Sequence, residues 1–164
     1  MKIAILGTRG IPNHYGGFEQ FAEYLSIGLV KRGHDVTVYN SHSHPYKKNE
    51  FKGVKLKHIY DPENKIGTAG QFVYDLLSIL DTRKENYDII LQLGYTSSSV
   101  FFDLHPNRSI VVTNMDGLEW KRTKYSAKVQ KFIQWEESLA AKKSDFMISD
   151  SIGIQNYIKN KYQK

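Results

Sequence analysis

Six short aliphatic and β-branched runs recur along the chain, and most are separated by a segment whose apolar residues fall at helical spacing. "KIAIL" (Lys2 to Leu6) is followed by Phe18, Phe21, Ala22, Leu25 and Leu29, one helix face that "KRGHD" brings to a stop. "DVTVYN" (Asp35 to Asn40) alternates as a second strand, and a polar, basic loop separates it from a third, "VKLKHIY". Phe72, Leu76, Leu77 and Leu80 then mark a helix from Thr68 to about Leu80, ahead of a central strand "DIILQLG" (Asp88 to Gly94). "SIVVTNMDG" gives another strand, Tyr125 to Lys142 a long helix, "DFMISDS" the last strand, and a lysine-rich helix closes the chain. Short strands buried on both faces need helices on both, so this order predicts an α/β fold with a doubly wound parallel sheet.

At 164 residues with 40% hydrophobic content the chain suits one buried core, giving a single domain over 1–164. There is no cysteine, which removes disulfides, thiolate zinc sites and cysteine nucleophiles. No run approaches the roughly 20 apolar residues of a membrane span, and Gly7 breaks the first apolar run too early for a secretory signal, so a cytoplasmic location is expected. The net charge of +6 is diffuse, with mild concentrations at Lys47 to Lys57 and Lys121 to Lys131. It carries no RNA-binding signature, and nucleic acid is not expected as a partner.

In such sheets ligands bind outside the carboxyl ends of the strands, so the loops Thr8 to Gly17, Ser41 to Pro45, Tyr95 to Ser98 and Met115 to Arg122 carry most interest. The first of these, "GTRGIPNHYGGFEQF", is longer than an ordinary strand-to-helix connection and ends in Gly16-Gly17 immediately before the helix. Such a turn presents backbone N–H groups and the positive helix end to an anion. The loop lacks the lysine of a P-loop and the glycine spacing of a dinucleotide site, and the second strand closes on Asn40 where an acidic residue would hold a ribose. Tyr157 and Lys161 nevertheless form Y-x-x-x-K, which keeps a nicotinamide-dependent short-chain dehydrogenase or epimerase open as an alternative, beside a noncatalytic α/β binding domain.

The glycine loop with Glu19 two residues on, "TNMDGLEWKRTKYS" (Thr113 to Ser126) and "SDSIGIQNYIKNKY" together resemble the N-terminal domain of family 4 GT-B glycosyltransferases, in a bacterial subgroup labelled rhamnosyltransferase-like. The likeness covers essentially the whole chain. It implies a Rossmann-like domain forming one half of a GT-B architecture, the acceptor-side half, with the nucleotide-sugar domain and its paired glutamates absent from this chain. The implied partners are a nucleotide-sugar donor, rhamnose being one candidate sugar, a glycan or lipid-linked acceptor, and the missing C-terminal half. Contact with the cytoplasmic membrane face would suit a positive, tyrosine-rich surface.

Under that resemblance Gly16 and Gly17 offer amides to the donor phosphates, Arg9 adds charge, and Glu19 sits in the first helical turn. Asp116 matches an acidic position that follows a histidine in many relatives, here replaced by Met115, which leaves Asp116 and Glu119 as candidate catalytic carboxylates orienting an acceptor hydroxyl. No D-x-D triplet is present, and His14, His42 and His44 have no carboxylate at ligand spacing, so neither a metal nor a cofactor is expected. Glu136 interrupts the apolar stripe of its helix and is expected to have a structural hydrogen-bond partner. Ser149, Asp150 and Ser151 are expected to cap the last helix.

Overall fold

A computed structural model describes residues 1–115 and 117–164. The strands are β1 (Lys2–Leu6), β2 (Asp35–Ser41), β3 (Glu50–Phe51), β4 (Val54–Ile59), β5 (Ile89–Leu93), β6 (Ile110–Met115) and β7 (Phe146–Ser149). The helices are α1 (Gly17–Lys31), α2 (Glu63–Ile66), α3 (Ala69–Thr82), α4 (Ala127–Lys143) and α5 (Ile152–Tyr162), with 3-10 turns at Ser99–Leu104 and Glu119–Lys121. The strands form one sheet in the order β3-β4-β2-β1-β5-β6-β7. It is parallel throughout except for β3, a two-residue edge strand antiparallel to β4. The α/β, Rossmann-like sheet expected from the sequence is therefore present, with one correction at that edge. β2 is joined to β4 by the loop and β3 instead of by a helix, because "SHSHPYKKNE" has no apolar stripe to bury.

Strand alternation sorts the core. Ile3 and Ile5 of β1 face α1 and pack with Val36, Val38, Leu91, Leu93 and Ala22, whereas Ala4 and Leu6 face α3 and pack with Tyr39, Ile79 and Ile90. A third cluster, Tyr95, Met115, Ile133, Ala140 and Ile158, joins α4 and α5 to the far half of the sheet.

The polar anchor of that third cluster is Glu137, fully buried on α4. Its carboxylate accepts from Trp120 Nε1 at 2.9 Å, Tyr157 Oη at 2.7 Å, Lys161 Nζ at 2.9 Å and Tyr162 Oη at 2.6 Å. Four donors from two other elements compensate its desolvation. Ser151 Oγ caps α5 by accepting from the Ile154 N–H at 3.2 Å, as the sequence suggested for this segment.

Candidate functional site

The chain runs from β1 to β2 on one side and later returns to β5 on the other side of β1, so the strand order reverses between β1 and β5. A cleft of about 540 Å³ opens there, at the carboxyl ends of the strands. One wall is the loop after β1 with the start of α1, including Thr8, Arg9, Gly16, Gly17 and Glu19; the others come from α3, the turn after β5 and Asn114 at the end of β6.

The loop after β1 is held by its own contacts. Gly10 has φ of +123°, and a Cβ there would lie 2.4 Å from Asn40 Cγ. Asn40 Oδ1 accepts from the Ile11 N–H and Asn40 Nδ2 donates to the Ile11 carbonyl. Glu19 is buried, and its Oε1 accepts from Thr8 Oγ1 at 3.1 Å and from the Arg9 N–H at 2.8 Å. The Tyr74 hydroxyl of α3 lies 2.9 Å from the Thr8 carbonyl and 2.8 Å from the Tyr39 carbonyl.

Beyond these braces the loop leaves donors free. Gly16 is the extended N-cap of α1 and has no side chain to cap the first turn, and the N–H groups of Gly16, Gly17 and Phe18 have no acceptor among the described residues. A Cβ on Gly17 would meet nothing within 4 Å. Open space above unpaired amides at a helix N-terminus suits an anionic oxygen.

The opposite wall is acidic. Asp61, Glu63 and Asp75 line the cleft with Gln71 and Ser97. Asp75 is buried, and burial pushes its carboxyl up to about 7, although a hydrogen bond from Ser97 Oγ at 2.5 Å pulls the other way and nearby Asp61 adds to the rise. Asn114 is 3% exposed, and its Oδ1 has no partner among the described residues.

Of the residues singled out from sequence, Arg9, Gly16, Gly17 and Glu19 meet in this cleft. Arg9 Nη2 lies 2.7 and 2.8 Å from the two Glu63 oxygens, and its guanidinium stacks 4.0 Å from the Tyr15 ring centroid, so its charge is largely matched within the protein. Glu119 is paired with Arg122 at 2.7 Å and does not line the cleft. Asp116 lies outside the described residues. Tyr157 and Lys161 are both bound to Glu137, and neither lines the cleft. The partner expected for Glu136 is not found: both its oxygens are buried without a hydrogen bond among the described residues, and burial, with Asp75 nearby, raises its carboxyl to about 8. No group of three or more metal-ligating side chains occurs among the described residues, and none of their helices is long and apolar enough to cross a membrane.

Asp61 and Asp75 were not singled out from the sequence, and Ser97 and Asn114 only as members of the loop Tyr95 to Ser98 and the block Thr113 to Ser126. Asp75 lies on the buried side of α3 with Tyr74, Ser78, Ile79 and Thr82, whereas the apolar stripe read from the sequence, Phe72, Leu76, Leu77 and Leu80, contains no buried residue and so pointed away from it.

The family model described as "Domain of unknown function (DUF1972)" matches residues 1–164. The chain belongs to the DUF1972 family. Within curated sequences, 67 residues, 40% of this chain, are 37% identical to an "Uncharacterized 42.6 kDa protein in cps region" of Klebsiella pneumoniae, and the match covers 17% of that protein. Among solved structures, sucrose-phosphate synthase from Thermosynechococcus elongatus superposes on 98% of this DUF1972 chain with a TM-score of 0.73 and 16% identity. The chain spans 45% of the synthase's length, and the fold they share is the Rossmann-like half expected from the sequence.

Proposed function

We propose that this DUF1972 chain is the acceptor-side half of a glycosyltransferase, acting in bacterial polysaccharide assembly. The observation that carries the reading is the open cleft at the β1/β5 reversal, with the unpaired Gly16, Gly17 and Phe18 amides on one side and hydroxyl-binding groups on the other. The amides suit the diphosphate of a nucleotide sugar, where negative charge grows as the sugar-to-phosphate bond breaks. Asp61, Asp75, Ser97 and Asn114 suit a hydroxyl-bearing acceptor, and Asp116 is assigned to orienting the acceptor hydroxyl; Glu119, held by Arg122 away from the cleft lining, is not given that role. The half-length superposition on a synthase and the cps-region relative support the same reading. The nucleotide sugar is assigned mainly to a second domain; its identity, rhamnose included, is left to assay.

The test uses the full-length protein with a panel of nucleoside-diphosphate sugars, following nucleoside diphosphate release with and without a glycan acceptor. Turnover with one donor, lost in Gly17→Val while the fold is retained, supports the reading. No release from any donor, together with no movement of the Gly16 to Phe18 amide resonances on adding UDP, GDP, ADP or dTDP, overturns it.

A further inference from the structure

We propose that a pocket beside the cleft holds a second, neutral sugar ring of the acceptor, so that the chain recognises an oligosaccharide and not a single sugar. The pocket has a volume of about 160 Å³ and lies over the carboxyl ends of β2 and β4, the strands next outward from β1. Arg9, Tyr15, Asp61 and Glu63 line both it and the cleft, so the two spaces meet across the Arg9–Glu63 pair. β2 and β4 stand about 5 and 10 Å from β1, a step that one further ring on a glycosidic link can take.

The rest of the lining is His14, Ser41, Ser43, His44 and Asn64, and its floor is fixed before anything enters. The Ser41 N–H donates to the Arg9 carbonyl at 3.0 Å. His44 Nδ1 accepts from the Tyr46 N–H at 3.1 Å, which leaves Nε2 to donate to the Pro12 carbonyl at 3.1 Å. The Asp61 N–H donates to His42 Nδ1 at 2.9 Å, and Asp61 Oδ1 accepts from the Glu63 N–H at 2.9 Å. A pocket built this way spares its ligand the cost of ordering it.

The chemistry of the lining selects the occupant. Asp61 is 6% exposed and its Oδ2 has no partner among the described residues, so a buried acceptor is left for a ligand hydroxyl. Tyr15 is 65% exposed: the Arg9 guanidinium covers one face of its ring, 4.0 Å from the centroid, and the other is free for the C–H face of a sugar. Charge disfavours an anion, because Arg9, the one permanent cation of the lining, is bonded to both Glu63 oxygens, and a phosphorylated or uronic ring would face Asp61 uncompensated. No aliphatic side chain among the described residues lines the pocket to cover a flat nucleobase. The preference for a neutral, hydroxyl-rich ring stands on this lining; naming that ring part of the acceptor rests on the transfer reading above.

The experiment titrates the isotope-labelled full-length protein with methyl hexopyranosides, with neutral disaccharides of the same sugars, and with disaccharides carrying one glucuronic acid. At least one neutral disaccharide is expected to bind about tenfold or more tightly than its single ring. It should also move the amide resonances of Ser43 and Asn64, which line the pocket and not the cleft. Ser43→Leu and Asn64→Trp, at exposed positions on two different segments, fill the pocket and should each return the disaccharide to the affinity of the single ring at an unchanged melting temperature. Equal affinity for one ring and two, shifts confined to the cleft, tighter binding of the uronic disaccharides, or a gain that survives both variants overturns the proposal. So does an absence of any sugar binding, and the response of the Gly16 to Phe18 amides to UDP, GDP, ADP or dTDP then tells whether the transfer reading falls with it.

Discussion

Asn40 grips the backbone of Ile11 with both ends of its carboxamide, accepting from the N–H at 3.1 Å and donating to the carbonyl at 2.8 Å. Both residues are fully buried, so neither Ile11 group can turn to water instead. Asn40→Ala should therefore cost about 2–4 kcal/mol, two unsatisfied buried groups at about 1–2 each. Asn40→Asp should cost at least as much, because a carboxylate accepts from the N–H but faces the carbonyl oxygen with no proton to give. Urea unfolding midpoints measure both, and an Asp variant as stable as wild type would disprove the two-ended contact. The position where a dinucleotide fold keeps an acid is here a clasp for the loop.

The glycines of that loop divide into two kinds, and substitution should separate them. Gly10→Ala should cost at least about 3 kcal/mol or prevent folding, since φ of +123° and the 2.4 Å approach to Asn40 Cγ both exclude a Cβ. Gly17→Ala meets open space at the first helical position and should leave stability unchanged or raise it by up to about 1 kcal/mol. Gly17→Val should instead show its effect in the amide response to nucleoside diphosphates, weakening it about tenfold by covering the neighbouring N–H groups. Equal destabilisation by the two alanines, read from thermal melts, would refute the division.

The order of strands and helices was legible because periods of two and of about 3.6 residues survive in runs as long as β2 or α3. β3 and α2, of two and four residues, are too short to show any period. The glycine-loop wall of the cleft was also legible, since it lies within one continuous loop. The acidic wall was not: Asp61, Asp75, Ser97 and Asn114 come from four separate segments, and only the sheet brings them together. Y-x-x-x-K illustrates the opposite error, a local pattern with a known chemical use whose two side chains are occupied by a buried carboxylate 20 or more residues away.

Removing that carboxylate should loosen one end of the molecule. Glu137→Ala leaves Lys161, Tyr157, Tyr162 and Trp120 without their shared acceptor, and breaking a buried pair of this kind costs about 3–5 kcal/mol. Hydrogen exchange should report the loss first in α5, ahead of α1 and the central strands, since α5 is tied to α4 through these bonds and the Ile158 contact. Unchanged protection of α5 would mean that apolar packing alone seats the helix.

Glu136 makes the pH dependence asymmetric. Its carboxyl titrates near the ordinary 4.5 when the chain is unfolded and at about 8 when folded, because burial and neighbouring Asp75 disfavour its charge. Between those values the folded state holds a proton that the unfolded state has released, so stability falls as pH rises from 4.5 to 8. Asp75, raised from 3.8 to about 7, acts in the same direction over its own window. Glu136→Gln removes the first contribution without changing shape. The variant and wild type should unfold at the same urea concentration at about pH 3, below both values, where the Glu136 carboxyl is neutral in the folded and the unfolded chain. At pH 9 the variant should be the more stable by on the order of 5 kcal/mol, leaving a shallower decline due to Asp75. A constant difference between the two proteins across this range would show that the Glu136 carboxyl ionises inside the fold as easily as outside it, which two oxygens without a hydrogen bond do not permit.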